Sequence, residues 1–177
     1  MKTIIVVGNG MVGYKFCEKF IASSESKNFN IIVFGEEPRP AYDRVHLSEY
    51  FENKDAKALE MAPRSWYEEN NIELITDTSV VDISRNTKTI TTIKDSKFNY
   101  DYLVLATGSS AFVPPIKGIE KEGVFVYRTI EDLNATMSYV AKLNSDGINK
   151  KAAILGGGLL GLEAAKALVD MNLQTSV

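Results

Sequence analysis

Short apolar runs separated by longer stretches of helical periodicity predict alternating strands and helices along most of the chain. The runs predicted as buried strands are 3–7, 30–35 and 102–106, and the run 151–155 is predicted to begin a second βα unit. The stretches predicted as helices are 11–22, 47–52, 64–70, 131–143 and 159–171. Thr129 and Asp132 predict a capping box before the fourth helix. The order of the elements predicts an α/β fold built from βαβ units.

A different pattern occupies the region between the second and third buried strands. The segments 72–75, 80–83, 89–93 and 98–100 alternate between apolar and polar residues and are separated by Asn, Asp, Lys and Ser. This spacing predicts small antiparallel hairpins. A further short strand is predicted over 124–127.

The stiff segment Val113-Pro114-Pro115-Ile116 predicts a domain boundary. The predicted organisation is a first domain over 1–112, a connecting segment and helix over 113–150, and the start of a second domain over 151–177. A βα unit with a single strand cannot bury both faces of a sheet. We therefore expect the chain to be a fragment that ends within its second unit.

Two glycine-rich loops each follow an apolar run and precede a predicted helix. They are Gly8-Asn9-Gly10-Met11-Val12-Gly13 and Gly156-Gly157-Gly158-Leu159-Leu160-Gly161. In a dinucleotide-binding turn the first glycine permits a tight bend, the second admits a pyrophosphate and the third lets helix and strand pack closely. The phosphates then meet free N–H groups at a helix N-terminus. Two such loops predict an enzyme that passes electrons between two dinucleotides; the alternative for each is a turn that only joins strand to helix.

A carboxylate at the end of the second predicted strand fits an adenosine-binding role. Glu36 and Glu37 follow that strand at close to the spacing at which a carboxylate accepts hydrogen bonds from a ribose. Glu36 is favoured because it is nearer the strand end. The alternative is that both are solvated turn residues before Pro38.

The composition of the chain argues against several kinds of partner and of functional site. The 177 residues include 20 basic and 23 acidic side chains, with a net charge of −3 and no basic cluster, which argues against nucleic acid or an anionic membrane as partner. No apolar stretch has the length needed to span a bilayer, and the predicted compartment is the cytoplasm. Cys17 and His46 are the only residues of their types, so no intrachain disulfide, metal site or nucleophilic catalyst is predicted.

Taken together, the motifs make the chain similar to the two-dinucleotide-fold flavoprotein reductases over nearly all of its length. The motifs are Gly8 to Gly13, Glu36, Arg44 with Leu47-Ser48, Tyr102 to Gly108 ending in Ala-Thr-Gly, Arg128 to Asp132, and Gly156 to Glu163. Within this family, segment 36–48 most resembles the NAD(P)H-dependent assimilatory nitrite reductases.

The resemblance implies an FAD/NAD(P)-binding, Rossmann-like three-layer α/β fold with a small antiparallel β insertion, truncated in a second Rossmann unit. The residues that it assigns to FAD are Gly8, Gly10, Met11, Val12, Gly13, Glu36, Arg44, Ser48, Val80, Ala106, Thr107, Gly108 and Arg128. The residues that it assigns to NAD(P)H are Gly156, Gly158, Leu160 and Gly161, with Glu163 near the place where nicotinamide meets flavin.

The reaction implied by the resemblance is hydride transfer from C4 of the nicotinamide to N5 of FAD. Electrons would then pass to a downstream nitrite-reducing centre or to a small electron-carrier protein. No residue is required as a general acid or base, so no catalytic residue is assigned. The iron–sulfur cluster and sirohaem of the nitrite reductases are expected only outside this sequence, and the fragment is not expected to reduce nitrite alone.

Several assignments have structural alternatives. If Arg44 has only a structural role, it pairs with Asp43 or Glu49, and Arg128 in the same case forms an ion pair at a domain interface. The structural alternative for Thr107 is a turn residue, and for Glu163 it is a carboxylate that stabilises the positive end of its helix. Glu49 also stands where ferredoxin-reductase relatives often carry a lysine. The alternative functions are an NAD(P)H-dependent ferredoxin or rubredoxin reductase and a non-catalytic flavin-binding or redox-sensing module.

Overall fold

The computed structural model of the chain describes residues 1–145 and 150–177, without the side chains of 144 and 145. Two compact units are present. The first contains residues 1–43 and 60–109, and the second contains residues 44–59 and 110–177. Residues 146–149, which belong to the predicted connecting segment, lie outside the described residues.

A four-stranded parallel sheet forms the centre of the first unit. Its strands in spatial order are β3 (Ile72–Ile75), β2 (Phe29–Phe34), β1 (Lys2–Val7) and β7 (Tyr102–Leu105). Strand β1 lies between two neighbours, and its apolar run from Ile4 to Val7 is buried. A parallel strand that is covered on both faces needs such a continuous apolar run.

Two helices cover one face of this sheet. They are α1 (Met11–Ile21), which a 3-10 turn over Ser24–Asn28 follows, and α3 (Arg64–Glu69). Tyr14 and Cys17 of α1 and Tyr67 of α3 pack in one buried cluster with alternate residues of β1 and β2. Cys17 has no exposed surface, and this burial raises the pKa of its thiol to about 12. The thiol therefore stays protonated near neutral pH.

A three-stranded antiparallel sheet covers the other face. Its strands in spatial order are β4 (Val80–Ser84), β5 (Thr89–Thr92) and β6 (Lys97–Asn99). Ile90 of β5 packs against Ile5, Val7 and Phe34 of the parallel sheet. The first unit therefore has three layers, namely helices, parallel sheet and antiparallel sheet. This architecture confirms the predicted fold class, including the antiparallel insertion.

The assignment of segment 72–75 to the antiparallel hairpins is wrong. Strand β3 pairs in parallel with β2, with Ile72 opposite Ile31. Ile72 is buried and Glu73 is exposed because β3 is an edge strand of the parallel sheet. An edge strand alternates like a half-buried antiparallel strand, and this similarity misled the prediction.

Two other strand predictions also need correction. Strand β7 forms, but it is not buried, since Tyr102 is 49% exposed and Leu105 is 62% exposed. It lies at the other edge of the sheet, where β1 is its one neighbour among the described strands. Segment 124–127 forms no strand. Its aromatic rings pack instead on other elements, Phe125 against Tyr139 at 5.5 Å and Tyr127 against Phe51 at 6.0 Å between ring centroids.

The second unit contains the start of another βα layer. Its elements are a 3-10 turn over Leu47–Glu49, α2 (Tyr50–Asn53), a 3-10 turn over Ala56–Leu59, α4 (Ile130–Ser145), β8 (Lys151–Ala153), α5 (Leu159–Asp170) and β9 (Gln174–Ser176). Strands β8 and β9 pair in parallel, as expected for a second Rossmann unit.

The predicted capping box at the start of α4 is confirmed. The Asp132 backbone N–H donates to Thr129 Oγ1 at 3.1 Å, and the Thr129 N–H donates to Asp132 Oδ2 at 2.8 Å. The Arg128 N–H donates to the same carboxylate oxygen at 3.2 Å. The box therefore fixes the backbone of Arg128 as well as the helix start.

Within the described residues, no helix combines the length and the apolar character that a bilayer crossing requires.

Candidate functional site

The first glycine loop joins β1 to α1 in a conformation that two of its glycines make possible. Gly8 has a φ of +110°, and a Cβ there would overlap the Ala106 carbonyl. A Cβ on Gly13 would overlap the Gly8 carbonyl. The backbone N–H of Gly8 also donates to the Phe34 carbonyl at 2.8 Å. Gly8 and Gly13 are therefore required by the packing of the loop itself.

Gly10 differs from Gly8 and Gly13 because the packing of the loop does not require a glycine there. It is the N-cap of α1, its φ of −95° and ψ of −166° are open to any L residue, and a Cβ there would have no atom within 4 Å. Nothing in the packing of the protein demands glycine at this position. A pyrophosphate that lies close to the backbone would need this open space beside Gly10, here called the cradle, which a Cβ would fill.

The second glycine loop repeats this geometry. Gly156 has a φ of +125°, a Cβ on Gly161 would overlap the Gly156 carbonyl, and a Cβ on Gly158 would have no atom within 4 Å. The first backbone hydrogen bond of each helix is also equivalent. Leu162 N donates to Gly158 O at 3.0 Å in α5, as Tyr14 N does to Gly10 O at 3.0 Å in α1. Each loop therefore holds one glycine that the protein's own packing leaves unexplained.

The helix starts after both loops suit an anion. The N-cap residues of α1 and α5 are Gly10 and Gly158, which have no side chain that could accept a hydrogen bond from the helix start. The first turns of these two helices also contain no acidic residue. The first N–H groups of α1 and α5 are thus left for a ligand or water. Val12 is 70% exposed and Leu160 is 57% exposed, and Met11 precedes Val12 in the first turn of α1. The predicted residues Met11, Val12 and Leu160 therefore lie at open helix starts.

The Ala-Thr-Gly segment lies directly beside the first loop. The Ala106 N–H donates to the Val7 carbonyl at 2.8 Å, and the Ala106 carbonyl faces Gly8. Thr107 and Gly108 follow as exposed residues, and Gly108 has a φ of +69°. The structure thus brings together the predicted contacts from the ends of β1 and β7.

A third group of predicted residues gathers at the end of β2. Thr78 N donates to Gly35 O at 3.0 Å, and Asp77 N donates to Glu37 O at 3.0 Å, so the turn that leads to Val80 is tied to the segment around Glu36. Glu36 is exposed, whereas the Glu37 carboxylate accepts a hydrogen bond from the Tyr42 hydroxyl at 2.8 Å. This arrangement favours Glu36 over Glu37 as the carboxylate that a ribose can reach.

The remaining predicted residues lie in the second unit. Arg44 Nη1 donates to the Arg128 carbonyl at 3.0 Å, which brings these two predicted FAD contacts together. Ser48 and Glu163 line one groove of about 430 Å³. Lys166 in that groove donates to Asp170 at 2.6 Å and lies 4.0 Å from Glu52, so its charge offsets part of the surrounding negative charge.

Tyr127 adds a titratable group close to that groove. Burial raises the pKa of its hydroxyl, the negative charge of Glu163 raises it further, and the nearby Ser48 side chain opposes the shift. The pKa of Tyr127 thus responds to a predicted FAD contact, Ser48, and to a predicted NAD(P)H contact, Glu163, of the same unit. No sequence motif marks Tyr127, because an aromatic residue in a short apolar run is typical of a strand.

A polar pair at the first loop is likewise not marked by any sequence motif. The hydroxyl of Tyr67, which is completely buried in α3, donates to Asn9 Oδ1 at 3.0 Å. Burial raises the pKa of this hydroxyl to about 12, so it remains a donor. The available signal was the polar residue between two glycines at 8–10, but the partner on α3 is 58 positions away in sequence.

In the part of the chain that the structure describes, no group of three or more His, Cys, Asp or Glu side chains is placed to hold a metal ion.

Comparison with known proteins identifies the family. The family model of pyridine nucleotide-disulphide oxidoreductases matches residues 2–177. The chain belongs to this family. The membership confirms the family predicted from the motifs.

The chain is similar to two curated relatives and to one solved structure. It is 44% identical over 98% of its length to the nitrite reductase (NADH) large subunit of Escherichia coli, of which it covers 20%. It is 41% identical over 99% of its length to the nitrite reductase [NAD(P)H] of Bacillus subtilis, of which it covers 21%. The crystal structure of NADH:rubredoxin oxidoreductase from Clostridium acetobutylicum is similar with a TM-score of 0.79 and 25% identity, over 98% of this chain and 43% of that one. The chain thus spans about one fifth of the curated relatives.

Proposed function

We propose that the chain is the N-terminal flavin module of an NAD(P)H-dependent nitrite reductase large subunit. The observation that carries the proposal is the repeated loop geometry, in which Gly10 and Gly158 each leave a cradle that the protein does not fill. The 44% identity to the Escherichia coli large subunit supports the choice within the family. The proposal assigns the protein to the cytoplasm.

The residues of the chain would bind and orient two dinucleotides. The first loop, the Ala106–Gly108 segment and Glu36 would hold FAD, with Val80 at the adenine and Arg44, Ser48 and Arg128 as further contacts. The second loop with Leu160 would hold NAD(P)H, and Glu163 would lie near the nicotinamide. Bound FAD would supply the hydride acceptor and the electron carrier, and the chain itself needs no acid, base or nucleophile.

The electron acceptor is proposed to lie outside this sequence. Cys17 is the only cysteine, and its buried thiol has a pKa of about 12. A thiol that stays protonated and buried is unsuited to thiol–disulfide exchange. Electrons would therefore leave FAD for a downstream centre, which in a nitrite reductase would contain the iron–sulfur cluster and sirohaem.

A second candidate is an NAD(P)H-dependent rubredoxin or ferredoxin reductase. The similarity in fold to NADH:rubredoxin oxidoreductase favours it, since that protein matches 98% of this chain. Its identity of 25% is well below the 44% of the nitrite reductase subunit. We therefore place it second.

The proposed function is tested on the full-length protein that contains this chain. Its flavin bands are expected to bleach when NADH or NADPH is added without oxygen, and to recover when nitrite is added. Bleaching by NAD(P)H with recovery on rubredoxin or ferredoxin, but not on nitrite, would instead establish the second candidate. A flavin that NAD(P)H does not reduce would leave only a non-catalytic flavin-binding module.

Glu36→Ala is expected to raise the Kd for FAD about tenfold or more, because a hydrogen bond to a charged group contributes about 1.5–3 kcal/mol. The matched control is Glu37→Ala, which removes the neighbouring carboxylate that already accepts a hydrogen bond from the Tyr42 hydroxyl. Titration of the apoprotein with FAD, followed by the quenching of flavin fluorescence, gives both constants. A larger loss in Glu37→Ala than in Glu36→Ala would reverse the assignment.

A further inference from the structure

Asn9 presents an unusual amide at the first glycine loop. Its Oδ1 accepts the hydrogen bond from Tyr67, whereas its Nδ2 is buried and has no hydrogen-bond partner among the described residues. A buried polar group without a partner lowers stability, and natural proteins keep few of them. The position therefore calls for an explanation other than the stability of the fold.

The surroundings of Tyr67 determine which way this amide points. The backbone of Ala41 interacts with the Tyr67 hydroxyl and opposes the rise in its pKa, and the hydroxyl proton is available to a second neighbour. That proton goes to Asn9, and only the carbonyl oxygen of an amide can accept it. The Nδ2 donor is consequently turned away from Tyr67.

The Asn9 side chain lies beside the strand end that carries the adenosine part of the proposed FAD site. A Cβ on Gly35, which immediately precedes Glu36, would lie 3.0 Å from Asn9 Cβ and 3.9 Å from Asn9 Nδ2. Asn9 itself stands between Gly8 and Gly10, next to the cradle that a Cβ on Gly10 would fill. An amide donor at this place matches the phosphate and ribose oxygens of a dinucleotide, which accept hydrogen bonds.

We propose that Asn9 binds FAD through its side-chain amide and that Tyr67 is the positioning residue that turns this amide toward the ligand. The inference rests on the proposed FAD site and deepens it. One buried tyrosine hydroxyl on α3 would then hold two segments around the cofactor, the first glycine loop through Asn9 and the segment before Arg44 through Ala41. A polar contact formed there is shielded from water, which strengthens it.

The test is a double-mutant cycle on the full-length protein after removal of its flavin. Asn9→Ala and Tyr67→Phe are each expected to raise the Kd for FAD about tenfold, the loss of one good hydrogen bond. The double variant is expected to bind FAD no worse than Asn9→Ala alone, because Tyr67 acts through Asn9. The matched control is Tyr14→Phe, since Tyr14 belongs to the same buried cluster but donates to Glu18 at 3.3 Å. It should leave the Kd unchanged.

The outcomes separate this inference from the function on which it rests. A wild-type protein that takes up no FAD contradicts the proposed function. A wild-type protein that binds FAD, together with a Tyr67→Phe variant of equal affinity or a double variant whose losses multiply to about a hundredfold, contradicts only the inference. Thermal unfolding of each apoprotein shows that the variants are folded. If Asn9→Ala does not fold, Asn9→Ser takes its place in the cycle.

Discussion

Gly10→Ala is expected to abolish FAD binding, with a Kd raised at least a hundredfold, while the apoprotein keeps its fold. The backbone at Gly10 is in an extended conformation that alanine adopts freely, and the added Cβ would have no protein atom within 4 Å. The stability of the apoprotein should therefore change by only about 0.5 kcal/mol. The Cβ would instead occupy the space in which the pyrophosphate has to approach the backbone. Flavin absorbance after desalting and urea unfolding of the apoprotein measure the two quantities separately.

Gly158→Ala is the matched control, because the second loop has the same geometry and the same open cradle. This variant should retain FAD but lose its reduction by NAD(P)H, as followed by stopped-flow absorbance under anaerobic conditions. Together the two variants assign one dinucleotide to each loop. Loss of FAD from Gly158→Ala, or its retention in Gly10→Ala, would show that the loops are assigned wrongly.

The sequence predicted most of the fold because its strongest signals are local. Each glycine loop stands between an apolar strand and an amphipathic helix, and the helices begin at Met11 and Leu159 as predicted. Thr129 and Asp132 are three residues apart, and their capping box depends on nothing distant. Such features follow from hydrogen bonding and sterics within one turn of chain, so the sequence alone determines them.

The errors concern elements whose character depends on distant partners. Segment 72–75 alternates like a hairpin strand, but parallel pairing with β2 decides its place. Segment 124–127 has strand-like residues, yet its rings pack on Phe51 and Tyr139 and it forms no strand. In both cases the deciding contact comes from elsewhere in the chain, and periodicity within a short segment cannot reveal it.

In the candidate site, too, local patterns predict some residues, whereas others depend on contacts between distant parts of the chain. Spacing alone predicts the glycines and Glu36 as site residues, since the dinucleotide motif imposes a fixed distance along the chain. The choice of Glu36 over Glu37 gains its support from Tyr42, whose hydroxyl engages Glu37. The pairing of Asn9 with Tyr67 brings two elements together across 58 positions, and no local pattern marks it. Roles that depend on such pairings emerge only from the folded structure.

Gly13→Ala is expected to destabilise the apoprotein by about 1–3 kcal/mol, the usual effect of overpacking a tight site. Helix propensity alone predicts the opposite sign, because alanine in a helix interior is favoured over glycine by about 1 kcal/mol. We expect the steric overlap to outweigh the helix propensity, because the Cβ would overlap the Gly8 carbonyl. Gly8 cannot easily move away, since it contacts the Ala106 backbone and donates a hydrogen bond to the Phe34 carbonyl. Urea unfolding of the apoprotein measures the change, with Gly10→Ala as the control for an added methyl group in the same loop. A Gly13→Ala variant more stable than the wild type would mean that α1 can move away from the loop, and that its close packing there is not a fixed feature of the fold.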